Sequence, residues 1–340
     1  MDLEKSRTGQ SPGTPDGASR VGLVFDETCL RHLAGNAGHP ERPERLIAVE
    51  AALDAAGWLK TAHRIKTRAA TDEELALAHT WRYLDLVRRE LSGLQVLSEL
   101  STGDTVVSAG SLEAARIAAG GVLAAVDAVM AGEVETAFCA VRPPGHHATR
   151  DRGMGFCIFN NVAVAARYAQ QKHGIKRVLI VDPDYHHGNG TQDIFYEDDS
   201  VFFFSTHHYG AYPGTGHPSE IGTGKGTGTT LNVPLPAGAS DAAILDTFQS
   251  KLVPAVKAFR PDFVLISAGF DAMRNDLLGQ FDVTPEGFAA ITRVVMGLAA
   301  EFAHGRVVSV LEGGYRLDGL GECVVAHLRS LKTPHYAAAR

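Results

Sequence analysis

Six short stretches of the chain are almost wholly apolar: 21–25, 136–141, 178–182, 201–205, 263–268 and 307–311. Each is rich in Val, Ile, Leu, Phe or Ala and too short for a buried helix, so each predicts a strand. Between them runs a different periodicity. Residues 45–56 place Leu46, Val49, Ala52 and Leu53 at helical spacing. Segments 71–77, 81–91, 112–130, 161–173, 241–259 and 285–302 read as further helices. The 112–130 segment is Ala-rich with Ser111 and Glu113 near its start, and Gly174 stops the 161–173 segment. Ser240 and Thr284 are candidate caps of the last two. Apolar strands alternating with long helices predict a parallel sheet covered on both faces. There is no internal repeat and no break in composition after residue 20, so the expectation is a single α/β domain over 20–340. Residues 1–19 are polar and rich in Gly, Ser and Pro, which predicts a disordered tail.

Composition leaves this picture in place. A chain of 340 residues, 45% hydrophobic and 21% charged, can build a large core without staples. Its net charge of −7 argues against a basic nucleic-acid-binding face. No apolar run approaches the roughly 20 residues that span a bilayer. The first residues also lack an apolar signal core, so the cytoplasm is the expected location. Cys29, Cys139, Cys157 and Cys323 are scattered with no CxxC pair. They are expected to be reduced, with Cys139 and Cys157 in the core. The Gly-rich stretch 222–228 lacks the Gly-Lys-Ser/Thr ending of a phosphate loop and reads as a surface loop.

What changes the picture is how the apolar runs end. VLIVD runs into Asp182-Pro-Asp184-Tyr-His186-His. Asp184 and His186 are two apart, so on an extended segment their side chains leave the same face. A carboxylate and an imidazole converging at a strand end can hold a metal ion. The 136–141 run leads into Arg142-Pro-Pro-Gly-His146-His147, 263–268 into Gly-Phe-Asp271, and 307–311 into Glu312-Gly-Gly-Tyr315. In open parallel sheets ligands bind at that edge. Asp184, His186 and Asp271 form a candidate three-ligand site with an open position. His146 and His147 are candidates for general base and acid, and Tyr315 for a donor to a developing oxyanion.

Seven motifs together carry a family resemblance. They are HPERPERL at 39–46, RPPGHH at 142–147, GFCIFNN at 155–161, DPDYHHGNGTQ at 182–192, YPGTG at 212–216, SAGFD at 267–271 and EGGY at 312–315. Their order and content resemble the histone deacetylase family of zinc amidohydrolases, on the side of its class II and bacterial deacetylase-like members. The resemblance runs from about residue 21 to residue 331. It implies a single-domain arginase/deacetylase-like fold, a central parallel sheet flanked by helices. It implies zinc held by Asp184, His186 and Asp271, His147 as general base and His146 as its electrostatic partner. Asp182 would orient His146 and Asn189 would contact His147. Gly155, Phe156 and Tyr212 would line a narrow acyl-lysine channel, and Arg45 an internal channel behind the zinc. Structural potassium is implied near Asp182, His186, Ser205 and Thr206, and a second near Phe195, Asp198 and Val201. The implied reaction is hydrolysis of an acyl-lysine side-chain amide by a metal-activated water. His147 takes the water proton and Tyr315 donates to the oxyanion.

Acetylpolyamine amidohydrolases resemble the chain too, with the same mechanism on acetylated small amines. Leu278 occupies the position where polyamine-selective relatives can carry a glutamate. An apolar residue there favours acyl-lysine, unless the Glu99 region supplies a carboxylate. A non-catalytic acyl-lysine reader should lack a ligand, the base or the tyrosine, and all are present. A dimanganese hydrolase on the same fold would need more carboxylates. The expected partners are an acyl-lysine protein or an acetylated small amine, with no direct nucleic-acid or membrane contact.

Overall fold

The computed structural model describes residues 20–36 and 38–332. The tail expected at 1–19 lies outside the described residues. The strands are β1 (Val21–Phe25), β2 (His63–Arg64), β3 (Ser98–Glu99), β4 (Val106–Val107), β5 (Thr136–Ala140), β6 (Val178–Asp182), β7 (Val201–His208), β8 (Thr230–Leu235), β9 (Phe263–Ala268) and β10 (Val307–Leu311). Eight of them form one sheet in the order β2-β1-β5-β10-β9-β6-β7-β8, and every pairing in it is parallel. β3 and β4 make a separate antiparallel ribbon. All residues of β1, β5, β6, β9 and β10 are buried, as strands covered on both faces must be.

Strands β5, β10, β9, β6 and β7 are contiguous in space although they are spread from residue 136 to residue 208 and from 263 to 311 in the chain. All point the same way, so the reactive segments after each of them meet at one edge. The direction of strand order also reverses within this group, which opens a crevice at the carboxyl ends.

The helices follow the sequence pattern closely. Asn161–His173 is capped by the Asn160 side chain, which accepts from the Ala163 N–H, and ends at Gly174 with φ of 69°. Pro285–Phe302 starts at Thr284, whose hydroxyl accepts from Gly287 N–H. Ser240, by contrast, makes no side-chain cap bond. Ser111 lies inside its helix, Ser111–Met130, and its hydroxyl contacts His32 and the Ser108 N–H instead.

Short elements have no counterpart in the sequence reading, among them β2, β3, β4 and the helices Trp58–Thr61 and Asn189–Phe195, and three larger differences have a physical reason. The segment expected as one helix over 241–259 is Asp241–Thr247, a π turn at Phe248–Leu252, then Val253–Phe259. Pro254 supplies the reason: it has no N–H to donate, and its ring crowds the carbonyl four residues back. β8 was not expected as a strand because Pro234 interrupts it. It is an edge strand, where proline is tolerated. The helix Leu317–Leu331 was missed because Gly319 and Gly321 hide its start; it packs against Glu44–Ala55 and Pro285–Phe302. The stretch 222–228 is a loop with one short 3-10 turn leading into β8. All four cysteines are free and buried. Among the described residues no helix is long and apolar enough to cross a membrane.

Candidate active site and metal centre

The site is assembled by carboxylates that hold backbone as well as one another. β6 ends at Asp182, and the next turns are pinned by side-chain-to-backbone bonds. Asp182 Oδ1 accepts from the Asp184 N–H at 3.2 Å, and Asp184 Oδ1 from the His186 N–H at 2.8 Å. Asp271, arriving from the end of β9, accepts from the Tyr185 N–H at 2.8 Å. Asp184 and His186 therefore converge through a pinned bend rather than through the pleat of an extended strand. Their ligating atoms and one from Asp271 all lie within 4.8 Å of one another. His186 Nδ1 is 2.9 Å from Asp271 Oδ2 and 3.3 Å from Asp184 Oδ1. Gly313, after β10, closes the group by donating its N–H to Asp184 Oδ2 at 2.9 Å. A Cβ on Gly313 would stand 2.2 Å from Asp271 Oδ2, so only glycine allows this approach.

The donor set suits a cation. Asp184 and Asp271 are fully buried, which disfavours charge on each. Burial together with the charge of Asp184 pushes the Asp271 carboxyl up to about 7. Burial also opposes charge on Asp184, but His146 and His186 outweigh it and lower that carboxyl. Burial is likewise overcome at His186, where hydrogen bonds to Asp184 and Asp271 push the imidazole up to about 10. Two crowded buried carboxylates and one nitrogen around a single point are what a divalent ion neutralises.

The tandem histidines have contrasting partners. His146 Nδ1 is 3.0 Å from Asp182 Oδ2, and His147 Nδ1 is 2.7 Å from Asn189 Oδ1. Burial works against charge on His146, yet Asp184 and Asp182 outweigh it and hold the ring well above the ordinary imidazole value. Burial, with the neighbouring charges of His146 and His186, holds His147 well below it. The backbone of this turn is held from β10: Glu312 Oε2 accepts from the Gly145 N–H at 2.7 Å and the His146 N–H at 3.1 Å.

Above these groups lies a cavity of about 550 Å3. His147, His186 and Tyr315 reach it, and Gly155, Phe156, Tyr212 and Leu278 line it. The Phe156 ring stands edge-on to Tyr315, and Tyr212 edge-on to His147. Phe156 has a φ of 67°, which turns its ring into the wall. His146, Asp182, Asp184, Asn189 and Asp271 lie outside the lining. Arg45, expected on an internal channel behind the metal group rather than on this cavity, lies behind the lining. It is fully buried, and its guanidinium is used up by the carbonyls of Gly314 and Glu312 and by Glu41 Oε1. Its charge lies 4.9 Å from the Tyr315 ring centroid, so it braces the segment that carries Tyr315.

Several lining residues carry no assigned role in the sequence, and of these only Tyr185 falls within one of the seven motifs. Asp104, in a turn with no periodicity, accepts from the Gly155 N–H at 2.8 Å and the Tyr212 hydroxyl at 3.2 Å, joining opposite walls. Tyr185, His208 and Gln280 line one side, with the Tyr185 hydroxyl bonded to His208. Glu99 is exposed on β3 and is not in the lining. Of the groups considered for potassium, Asp182 and Ser205 are paired in register across β6 and β7, and the buried Thr206 hydroxyl has no partner. At the other group the Asp198 carboxylate is taken by Arg167 and Ser200, leaving backbone carbonyls as donors.

The parallel α/β sheet gathers an Asp-His-Asp group that could hold a metal ion, paired histidines and a tyrosine at its carboxyl edge. Residues 39–331 match the model of the histone deacetylase domain. The chain is 43% identical over 272 residues to the chloroplastic histone deacetylase 14 of Arabidopsis thaliana, covering 78% of this chain and 64% of that protein. It is 41% identical over 300 residues to the human polyamine deacetylase HDAC10, covering 86% of this chain and 44% of that one. It is also similar to the crystal structure of the HDA15 HD domain, with a TM-score of 0.87, 42% identity and coverage of 94% and 92% of the two chains. The chain belongs to the histone deacetylase family. It spans less than two thirds of the length of both curated relatives.

Proposed function

We propose that this protein is a zinc-dependent deacetylase that hydrolyses the acyl amide of lysine side chains. The observation that carries the proposal is the meeting of Asp184, His186 and Asp271 beside His146 and His147, hydrogen-bonded to Asp182 and Asn189, and a tyrosine, beneath one cavity. Asp184, His186 and Asp271 would hold the ion. When bound, zinc supplies Lewis acidity and an acidified water.

The chain's own residues divide the rest of the work. His147 is kept neutral, and with its Nδ1–H donated to Asn189 its Nε2 is free to accept a proton as general base. His146 is kept protonated against Asp182 and provides positive charge and a proton for the leaving amine. The Tyr315 hydroxyl, held in neutral form by burial, donates to the developing oxyanion. Gly155, Phe156, Tyr212 and Leu278 enclose the alkyl stem of the substrate. Arg45 acts behind Tyr315 rather than on the substrate. Asp182, Ser205 and Thr206 with the backbone near His186 would hold a structural potassium ion. The backbone of Phe195, Asp198 and Val201 would hold a second. The whole segment 20–340 is proposed as one catalytic domain, working in the cytoplasm.

A second reading has one observation in its favour. Among the described residues Asp104 is the one carboxylate in the cavity lining, and a distal ammonium of an acetylated polyamine would seek it. It is already engaged by Tyr212 and Gly155, and Leu278 offers a second ammonium nothing, which favours acyl-lysine.

The test is acetate release by zinc-loaded protein from an acetyl-lysine peptide and from acetylputrescine, side by side. Peptide cleavage that falls roughly 100-fold in Tyr315→Phe supports the proposal. Strong preference for the diamine moves the assignment to polyamines, and no release from either, with zinc bound, overturns it.

A further inference from the structure

We propose that Glu312 is a positioning residue, which sets the stance of the tandem histidines by clamping the backbone beneath them; this rests on the deacetylase reading above. Residues 143–147 form a turn outside any ladder, and its first two residues are prolines, which bring no N–H. Gly145 and His146 bear its first backbone donors. Both are buried and both donate to the same oxygen, Glu312 Oε2, at 2.7 and 3.1 Å. A buried N–H without a partner is costly, so this carboxylate determines where the turn can rest.

Glu312 is itself held firmly. It is fully buried, directly after β10, and its backbone carbonyl accepts from Arg45 Nη2 at 2.5 Å. The next residue, Gly313, donates to the ligand Asp184 at 2.9 Å, and Tyr315 lies at the cavity two residues further. One short segment therefore touches the histidine turn, a metal ligand and the oxyanion donor. The contact from Glu312 goes to main chain and not to either imidazole. Its role is thus to place the rings: His146 against Asp182, and His147 against Asn189 with ring centroids 4.0 Å from those of His146. The other carboxylate oxygen, Oε1, is buried with no partner. An amide in place of the carboxyl therefore breaks no existing bond at that oxygen and keeps an acceptor for the two N–H groups.

Zinc-loaded wild type, Glu312→Ala and Glu312→Gln are compared by kcat and KM on the acetyl-lysine peptide, zinc content, and hydrogen exchange at the Gly145 and His146 amides. Glu312→Ala is expected to lower kcat roughly 100-fold, the scale of an ångström-sized misplacement. KM and zinc content should stay unchanged while both amides lose protection. Glu312→Gln is expected to regain both protection and most of kcat. Near-normal kcat in Glu312→Ala, or a Gln variant as slow as Ala with its amides protected, overturns the proposal. If wild type cleaves no acylated amine, the deacetylase reading fails separately. The clamp then stands or falls on exchange: protection in Glu312→Ala equal to wild type overturns it.

Discussion

His146 and His147 share one chemistry and one turn, yet their surroundings push their basicity in opposite directions. His146 faces the carboxylates of Asp184 and Asp182, which raise it, whereas His147 is lowered by burial and by the charges of His146 and His186, and its hydrogen-bond partner is the neutral amide of Asn189. The amide of Asn189 accepts from His147 and raises its basicity only partly against that burial and charge, less than a carboxylate would. Asn189→Asp is therefore expected to raise the His147 pKa. Its acid limb in the pH profile of kcat/KM should move up by roughly one unit, by the usual effect of an adjacent carboxylate. An unmoved limb would remove His147 from the role of base. Asp271 carries a different burden. Its carboxylate is a proposed ligand and also holds the Tyr185 N–H. Asp271→Asn should lose bound zinc, measured by elemental analysis after gel filtration, while far-UV circular dichroism stays unchanged. Retention of one zinc per chain would count against the ligand role.

Strands and helices place these residues by ending in particular ways. β10 and β9 stop just short of the centre and hand over to Gly313 and Gly269, so that backbone rather than side chain faces the carboxylates. In Gly313→Ala the new methyl would meet Asp271 Oδ2 at 2.2 Å. We expect that variant to fold and to bind zinc weakly, as an equilibrium titration with a chromogenic chelator would reveal; tight binding would mean the strand end can yield. Far from the site, the Thr284 cap on Pro285–Phe302 is an ordinary stabilising device. Thr284→Ala should cost about 1 kcal/mol, read from the urea midpoint, with catalysis untouched. The helix Leu317–Leu331 and the edge strand β8 were invisible in the sequence for a shared reason. Glycines in the one and a proline in the other erase local pattern, and burial against neighbours restores the element.

The folded molecule also stores several histidines in neutral form away from the metal group. His79 and His327 are fully buried, and burial pushes them down to about 4 and about 3. His327 spans two hydroxyls, Thr292 and Ser309, at 2.7 and 2.8 Å. Below the ordinary histidine pKa the unfolded chain binds protons that the folded one refuses. Stability must then fall as pH drops from about 6.5 toward 4, by about 1.4 kcal/mol per unit for each such group. Urea unfolding at pH 7.5 and 5.5, compared between wild type and His327→Gln, should show a smaller loss in the variant, and equal losses would mean that this ring is protonated in the native state.

The chain alone was enough for the parallel sheet, most of its helices and the seven motifs that name the site. These are local: apolar runs of strand length report burial on two faces, and reactive residues directly after them travel with the strand end. What tertiary structure decided is everything that depends on which strands become neighbours. The order β5-β10-β9-β6-β7 brings Glu312 under His146, Gly313 to Asp184 and Arg45 behind Tyr315, none of which sequence separation encodes. The same holds for Asp104, which links two walls of a cavity that exists only once the loops are folded together. Hydrophobic periodicity is a property of consecutive residues. Hydrogen-bond partners and protonation states are properties of the space into which those residues are packed.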